Sequence, residues 1–145
     1  PSAIFLGIDF SKLSVEAYDC LRSRLKNIRY LQADITRTDQ WNTYLKQEFP
    51  LHSCLIFTFG VMTYLTVDEL VCLFKFLFDA PNIKEVTLLE PTKGLEVNSI
   101  RSIRTGPVAF VHNYGLLLKD CGFKIVKNES ILGGEYIFVH AQKQS

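Results

Sequence analysis

The sequence has no excess of charge of one sign, no long apolar run and no clustered cysteines. Its 145 residues carry 16 Lys and Arg against 15 Asp and Glu, a formal net charge of +1. Dedicated nucleic-acid binders normally carry a clear basic excess, so this balance argues against that class. No apolar run approaches the roughly 18 residues that span a bilayer, and the first residues lack the layout of a signal peptide. We therefore expect neither a membrane nor a nucleic acid as partner.

Cysteine and histidine are few and scattered along the chain. The four cysteines, Cys20, Cys54, Cys72 and Cys121, include no Cys-x-x-Cys pair, and the three histidines are equally dispersed. Metal sites need clustered thiolates or imidazoles, so no metal is expected. Unpaired thiols are usual in reducing compartments, which predicts free cysteines and a cytoplasmic location.

Apolar residues, by contrast, are abundant. Hydrophobic residues make up 48% of the chain and charged residues 21%. This composition excludes a disordered protein, and 145 residues are enough to bury a core without disulfides. We expect a single domain over residues 1–145, without internal repeats.

Short β-rich runs alternate with helical stretches. Strands are predicted over 3–8, 28–33, 53–59, 85–90, 123–129 and 135–142, and helices over 12–26, 39–48, 67–79 and 107–120. Repeated βα units predict an α/β fold with a mostly parallel sheet and helices on both faces. The Gly133-Gly134 turn predicts a C-terminal antiparallel hairpin. Residues 53–59 are almost wholly apolar, as in a strand covered on both faces, and 91–106 form a long connection.

Ligands of open α/β sheets bind at the carboxyl ends of the strands, where this chain places several polar residues. Asp9 follows the first strand, and a carboxylate there accepts hydrogen bonds from ribose hydroxyls. Asp34 follows the second strand and suits an exocyclic amine, with Ile35 against a flat ring. Gly60 follows the third strand and permits close backbone approach, and Glu90 follows the fourth. Each of these residues also fits an ordinary turn.

The long connection over 91–106 carries positive charge. Arg101 and Arg104 suit an anionic substrate group, and the alternative, which is the commoner one for such charges, is a solvated loop. His112 is a candidate general base or a capping and packing residue.

In series, these segments resemble the class I S-adenosylmethionine-dependent methyltransferases over essentially the whole chain. FLGIDFSKLSVEAYDCL is similar to that family's second strand with its ribose-binding acid, and YLQADIT to its adenine-contacting motif. HSCLIFTFGVMTYLTVDEL is similar to its fourth strand, LLLKDCGFKIVK to its last helix and sixth strand, and EYIFVHAQK to its antiparallel seventh strand. The resemblance implies a Rossmann-like fold, S-adenosyl-L-methionine as cofactor and methyl transfer to a small-molecule acceptor. Such a transfer is an in-line displacement that needs positioning and a desolvated pocket more than a dedicated base.

The resemblance also implies residue roles. Asp9 would hold the ribose, Asp34 the adenine amine, and Phe59 and Gly60 the methionine end, while Tyr64 would face the transferred methyl. The implied cofactor-binding set is Asp9, Phe10, Asp34, Ile35, Phe59 and Gly60. The implied substrate-binding set is Tyr64, Glu90, Arg101 and Arg104.

The chain departs from the family at its glycine-rich loop. No Gly-x-Gly-x-Gly is present, and Ser53-Cys54 stands where the family usually has Asp. In the family that loop follows a central strand, so we expect these residues to be the larger C-terminal part of a longer domain, completed by an N-terminal segment or a second chain. The alternative is a non-catalytic methyltransferase-like binding or structural module in which strands 3–8 and 53–59 pair directly. An NAD-dependent oxidoreductase is disfavoured by the final antiparallel hairpin.

Overall fold

The computed structural model describes residues 5–13, 16–17, 28–49, 53–92 and 102–144. The chain divides into two compact units, Pro1–Pro50 and Leu51–Ser145, and each is described by itself. Of the helix predicted over 12–26, residues 12–13 and 16–17 are helical, and the others lie outside the described residues. The single domain expected over 1–145 stays a prediction.

The first unit contains a parallel strand pair and a helix. Its elements are β1 (Phe5–Asp9), β2 (Ile28–Gln32) and α1 (Thr38–Glu48). The two strands pair in parallel, with Asp9 opposite Gln32, and the Ala33 N–H donates to the Asp9 carbonyl at 3.0 Å. Helix α1 buries Trp41 and Leu45, which form its apolar face.

The second unit carries most of the described elements. In chain order these are β3 (Cys54–Phe59), a 3-10 turn (Met62–Tyr64), α2 (Val67–Asp79), β4 (Ile83–Pro91), β5 (Ser102–Arg104), β6 (Phe110–His112), α3 (Tyr114–Asp120), β7 (Lys124–Ile131), a second 3-10 turn (Leu132–Gly134) and β8 (Tyr136–Gln142). A capping box of Thr66 and Glu69 begins α2, and the apolar face of the helix buries Leu70, Leu73, Phe74 and Leu77. Helix α3 contacts α2, β7 and β8.

The four-stranded sheet of this unit is mixed, not mostly parallel. Its order is β3-β4-β8-β7, and only the β3–β4 ladder is parallel. The short connection between β7 and β8 allows only antiparallel pairing of these two strands. Strand β8 also pairs antiparallel with β4 on its other side. Gly133 and Gly134 adopt positive φ in this connection, which confirms the hairpin. The expected mostly parallel sheet with helices on both faces is therefore wrong for the described residues.

Strand β3 is exposed on one face, contrary to the expectation that both faces would be covered. Leu55, Phe57 and Phe59 are all more than half exposed, whereas Thr58 between them is buried. In the described residues β3 is an edge strand of its sheet.

The segment after β4 also differs from the prediction. Residues 102–104 and 110–112 pair as a short antiparallel hairpin, closed by a 2.9 Å bond from the Thr105 N–H to the Ala109 carbonyl. Helix α3 begins only at Tyr114, where the Asn113 side chain accepts from the Leu116 N–H. Three-residue strands show no hydrophobic period, which is why the sequence pattern missed them.

No helix in the described residues combines the length and apolar character needed to cross a bilayer.

Candidate functional site

Asp9 and Asp34 lie at the same edge of the first unit's strand pair. Asp9 ends β1 and Asp34 follows β2 by two residues, and parallel pairing brings both to the carboxyl ends of the strands. Asp9 Oδ1 accepts from the Ser11 N–H at 2.8 Å, and Phe10 beside it is exposed. The Gln32 side chain donates to the Phe10 carbonyl at 3.2 Å and fixes the turn.

Asp34 is held by its own turn. Its Oδ1 accepts from the Thr36 N–H at 2.9 Å and from the Thr36 hydroxyl at 2.8 Å. These hydrogen bonds hold the pKa of the Asp34 carboxyl below its usual range, so the group is an anion at neutral pH. The Trp41 indole donates to the Ile35 carbonyl at 3.1 Å and anchors that residue. In the described residues the hydrogen bonds to Asp9 and to Asp34 go to Oδ1 in each case, which leaves the two Oδ2 atoms as acceptors for a ligand.

In the second unit, the chain turns sharply after β3. Gly60 has φ +65°, a conformation that disfavours side chains, and its N–H donates to the Leu89 carbonyl at 3.0 Å. Phe59 is 58% exposed and stacks on Tyr136, with ring centroids 5.9 Å apart. We call residues 60–66 the strand-end turn.

Glu90 is wholly buried beneath the strand-end turn. Its Oε1 accepts from the Thr58 hydroxyl at 2.7 Å and from the Val61 N–H at 3.3 Å, and its Oε2 accepts from the Met62 N–H at 3.1 Å. Burial raises the pKa of Glu90, while these hydrogen bonds lower it in part. The carboxylate therefore points into the protein and holds the turn.

The far end of the strand-end turn is fastened to β6. The Thr63 hydroxyl donates to the Phe110 carbonyl at 2.7 Å, and His112 Nε2 lies 2.9 Å from the Leu65 carbonyl. That contact assigns the proton to Nε2, because a carbonyl only accepts. Burial lowers the pKa of His112, so its imidazole is neutral at physiological pH. The side chain of Tyr64 does not take part in these contacts of Thr63 and His112 and is 62% exposed.

Two buried polar atoms of this unit lack a hydrogen-bond partner in the described part of the chain. They are Nδ1 of His112 and the hydroxyl of Tyr114. Burial, with the nearby Glu90 charge, raises the pKa of the Tyr114 phenol well above its usual range. The sequence pattern indicated His112 as a base or a packing residue, but it gave no role to Tyr114 or Thr58. The single hydroxyl within the apolar run of β3 was the only signal for Thr58.

The two arginines of the long connection are only partly described. Arg104 lies in β5, where its Nε donates to the Gly106 carbonyl at 3.0 Å and its Nη2 to the Pro107 carbonyl at 2.7 Å. These bonds cap the hairpin turn and occupy much of the guanidinium. Arg101 lies outside the described residues. Binding of an anionic substrate by this pair stays a prediction.

The predicted site residues thus form two groups, one in each unit. Asp9, Phe10, Asp34 and Ile35 share one strand edge of the first unit. Gly60 and Tyr64 lie in the strand-end turn of the second, with Phe59 directly before the turn and Glu90 buried beneath it. Across the described ranges, no three His, Cys, Asp or Glu side chains are arranged to hold a metal ion. No disulfide joins the described cysteines Cys54, Cys72 and Cys121.

Comparison with solved structures shows the fold. The pyocyanin biosynthetic protein PhzM matches with a TM-score of 0.63 and 16% identity, over 99% of this chain and 44% of PhzM. The [4+2]-cyclase SpnF matches with a TM-score of 0.67 and 13% identity, over 97% of this chain and 67% of SpnF. The N-methyltransferase NodS of Bradyrhizobium japonicum, solved with S-adenosyl-L-homocysteine, matches with a TM-score of 0.61 and 12% identity, over 98% of this chain and 67% of NodS.

The fold is therefore methyltransferase-like, as the sequence resemblance implied. At these identities the likeness concerns the fold alone, and the chain spans less than half the length of PhzM. No protein-family model and no curated protein sequence matches the chain.

Proposed function

We propose that this protein binds S-adenosyl-L-methionine and transfers its methyl group to a small-molecule acceptor in the cytoplasm. The observation that carries the proposal is the pair Asp9 and Asp34 at the carboxyl ends of adjacent parallel strands. Each keeps one carboxylate oxygen for its own turn and leaves the other to a ligand. Two such acceptors suit a nucleoside, which offers ribose hydroxyls and an adenine amine.

The residues present fit the nucleoside part of the cofactor. Asp9 would accept from the ribose hydroxyls and Asp34 from the adenine amine, with Ile35 and Phe10 as apolar neighbours. When bound, the cofactor supplies an activated methyl group on a sulfonium. The neighbours with methyltransferase folds support this assignment, although SpnF shows that a cyclase also uses this architecture.

The residues of the second unit would contact the methionine end of the cofactor and the acceptor. Phe59 and Gly60 would bound the methionine end, and Tyr64 would face the acceptor. Tyr64 and Phe59 are exposed on a turn fixed by hydrogen bonds, as positioning of a substrate requires. Arg101 and Arg104 remain candidates for an acidic group on the acceptor.

The methionine end lacks a glycine-rich loop in these 145 residues. We propose that polypeptide beyond them, a segment preceding Pro1 or a second copy of the chain, supplies a strand and that loop. The support is β3, which is the end strand of its sheet in the described residues and has an exposed apolar face of Leu55, Phe57 and Phe59.

Calorimetry with S-adenosylhomocysteine tests the proposed function, on protein that includes any polypeptide preceding Pro1. The informative variant is Asp9→Asn, which keeps an oxygen for the Ser11 N–H but loses the charge. We expect its affinity to fall about tenfold or more, because a hydrogen bond to a charged group contributes roughly 1.5–3 kcal/mol.

The matched control is Asp39→Asn, an exposed carboxylate of the first unit that pairs with Arg37 at 3.7 Å. Its affinity should equal that of the wild type. Equal affinity for Asp9→Asn would remove Asp9 from the site. A wild-type protein that binds no S-adenosylhomocysteine would overturn the proposed function and favour the non-catalytic module.

A further inference from the structure

Glu90 continues the β3–β4 ladder by means of its side chain. The last backbone bond of the ladder joins the Gly60 N–H to the Leu89 carbonyl. Beyond that point the chain leaves the sheet, and the Val61 and Met62 N–H groups have no strand carbonyl opposite them. The Glu90 carboxylate accepts from both amides and thus spans the place where the ladder ends. Met62 is fully buried, so an unsatisfied N–H there would be costly.

The hydrogen-bonding groups that act on Glu90 are all donors, and they include the Thr63 N–H, which helps to lower the pKa of the carboxyl. The Thr58 hydroxyl and the two amides each donate, and Oε1 and Oε2 both accept. A carboxylate satisfies this set, whereas an amide side chain would place an N–H group against a donor. The site is therefore specific for glutamate and not merely for a side chain of its size.

The strand-end turn displays the residues that the proposed function needs. Glu90 fixes its beginning, and the contacts of Thr63 and His112 with Phe110 and Leu65 fix its remainder. The large hydrophobic side chains that remain exposed are Phe59 before the turn and Val61 and Tyr64 within it.

We propose that Glu90 is a positioning residue, which holds the strand-end turn so that Phe59 and Tyr64 face the bound ligand, and that it does not touch the ligand itself. The part that concerns the ligand rests on the proposed function. The part that concerns the turn rests on the contacts of Glu90 alone. The two parts have separate measurements.

The first measurement follows the amide protons of Val61 and Met62 by ¹H–¹⁵N NMR. In Glu90→Gln, we expect both resonances to move upfield and the Met62 amide to exchange with solvent at least about tenfold faster. The matched control is Glu85→Gln, on the same strand, whose carboxylate contacts His140 and Gln142. It should leave both amides unchanged. Unchanged amides in Glu90→Gln would overturn the anchoring role.

A second pair of variants keeps the proposal testable if Glu90→Gln does not fold. Thr58→Val removes one donor to Glu90, and Thr58→Ser retains it. We expect the Val61 amide, which shares Oε1 with Thr58, to shift in Thr58→Val and to return towards its wild-type position in Thr58→Ser. An equal shift in the two variants would count against the hydrogen-bond network.

The second measurement is the affinity for S-adenosylhomocysteine in a double-mutant cycle. We expect Glu90→Gln to weaken binding about tenfold, and Tyr64→Ala to weaken it less in that background than in the wild type. Strictly additive effects would make Glu90 a structural residue only and overturn the ligand part. If the wild type binds no S-adenosylhomocysteine, the proposed function and the ligand part both fail, while the amide measurement still decides whether Glu90 anchors the turn.

Discussion

Single residues of the candidate site differ in how directly the sequence predicts them. Asp9 and Asp34 follow recognisable strands, and their strand-end positions are the ones expected. Glu90 is also found at a strand end, but its burial depends on where the strand-end turn folds back, and no local pattern reports that. Tyr114 is hidden for the same reason, since its hydroxyl is buried by tertiary packing alone.

The Tyr114 hydroxyl gives a prediction at the scale of one residue. It is fully buried and has no hydrogen-bond partner in the described part of the chain. Tyr114→Phe removes a desolvated polar group without creating a large cavity. We expect the free energy of unfolding in urea to stay the same or to rise by up to about 1 kcal/mol.

His112→Phe is the comparison for Tyr114→Phe. It removes the donor to the Leu65 carbonyl, so we expect it to lower the free energy of unfolding by about 1–3 kcal/mol. A comparable loss for Tyr114→Phe would contradict the prediction and would indicate that the hydroxyl is satisfied, for example through a buried water.

Among the elements, helices with capping signals and long apolar faces were predictable. Helix α2 begins where its capping box places it, and the β7–β8 hairpin turns at its two glycines. The short pair β5–β6 was missed, because three residues are too few to show a period. Strand β3 was correctly placed as a strand, but its exposed face was not predicted, because an apolar run does not reveal whether a neighbouring layer is present.

The start of α2 gives a prediction at the scale of one element. The Thr66 hydroxyl accepts from the Glu69 N–H at 3.4 Å, and Glu69 Oε2 accepts from the Thr66 N–H at 2.7 Å. Thr66→Ala should therefore lower the free energy of unfolding by about 1 kcal/mol. Thr66→Ser, which keeps the hydroxyl, should stay close to the wild type in the same urea titration. Equal free energies of unfolding for the Ala and Ser variants would show that the Thr66 hydroxyl does not stabilise the protein.

At the scale of the whole molecule, the fold class was predictable and the sheet was not. Alternating elements indicated an α/β protein, and the structural neighbours share that architecture. The balance of parallel and antiparallel ladders depends on how β8 inserts beside β4, a pairing between distant segments. Such pairing is set by tertiary packing, which single-sequence periodicity does not encode.

The stability of the whole molecule depends on pH through three groups whose pKa values are shifted: the pKa values of Asp34 and His112 are lowered, and that of Glu90 is raised. Asp34 has a lowered pKa, and its hydrogen bonds stabilise the protein above the pKa of the unfolded chain and are lost as the pH falls. His112 has a lowered pKa, so its burial also becomes unfavourable as the pH falls. Glu90 has a raised pKa, so its contribution to the free energy of unfolding is lost as the pH rises, not as it falls.

We therefore expect Glu90 to lower stability as the pH rises. In the folded protein its pKa lies above the ordinary value of about 4.3, so between the two values the native state binds more protons than the unfolded state. The free energy of unfolding of the wild type minus that of Glu90→Gln should fall as the pH rises above about 4.3, by at most about 1.4 kcal/mol per pH unit, and then level off. Urea unfolding followed by circular dichroism measures both proteins, and the contributions of Asp34 and His112 cancel in the difference. A difference that increases with pH would show that the hydrogen bonds to Glu90 outweigh its burial, and that the ionised carboxylate stabilises the folded protein.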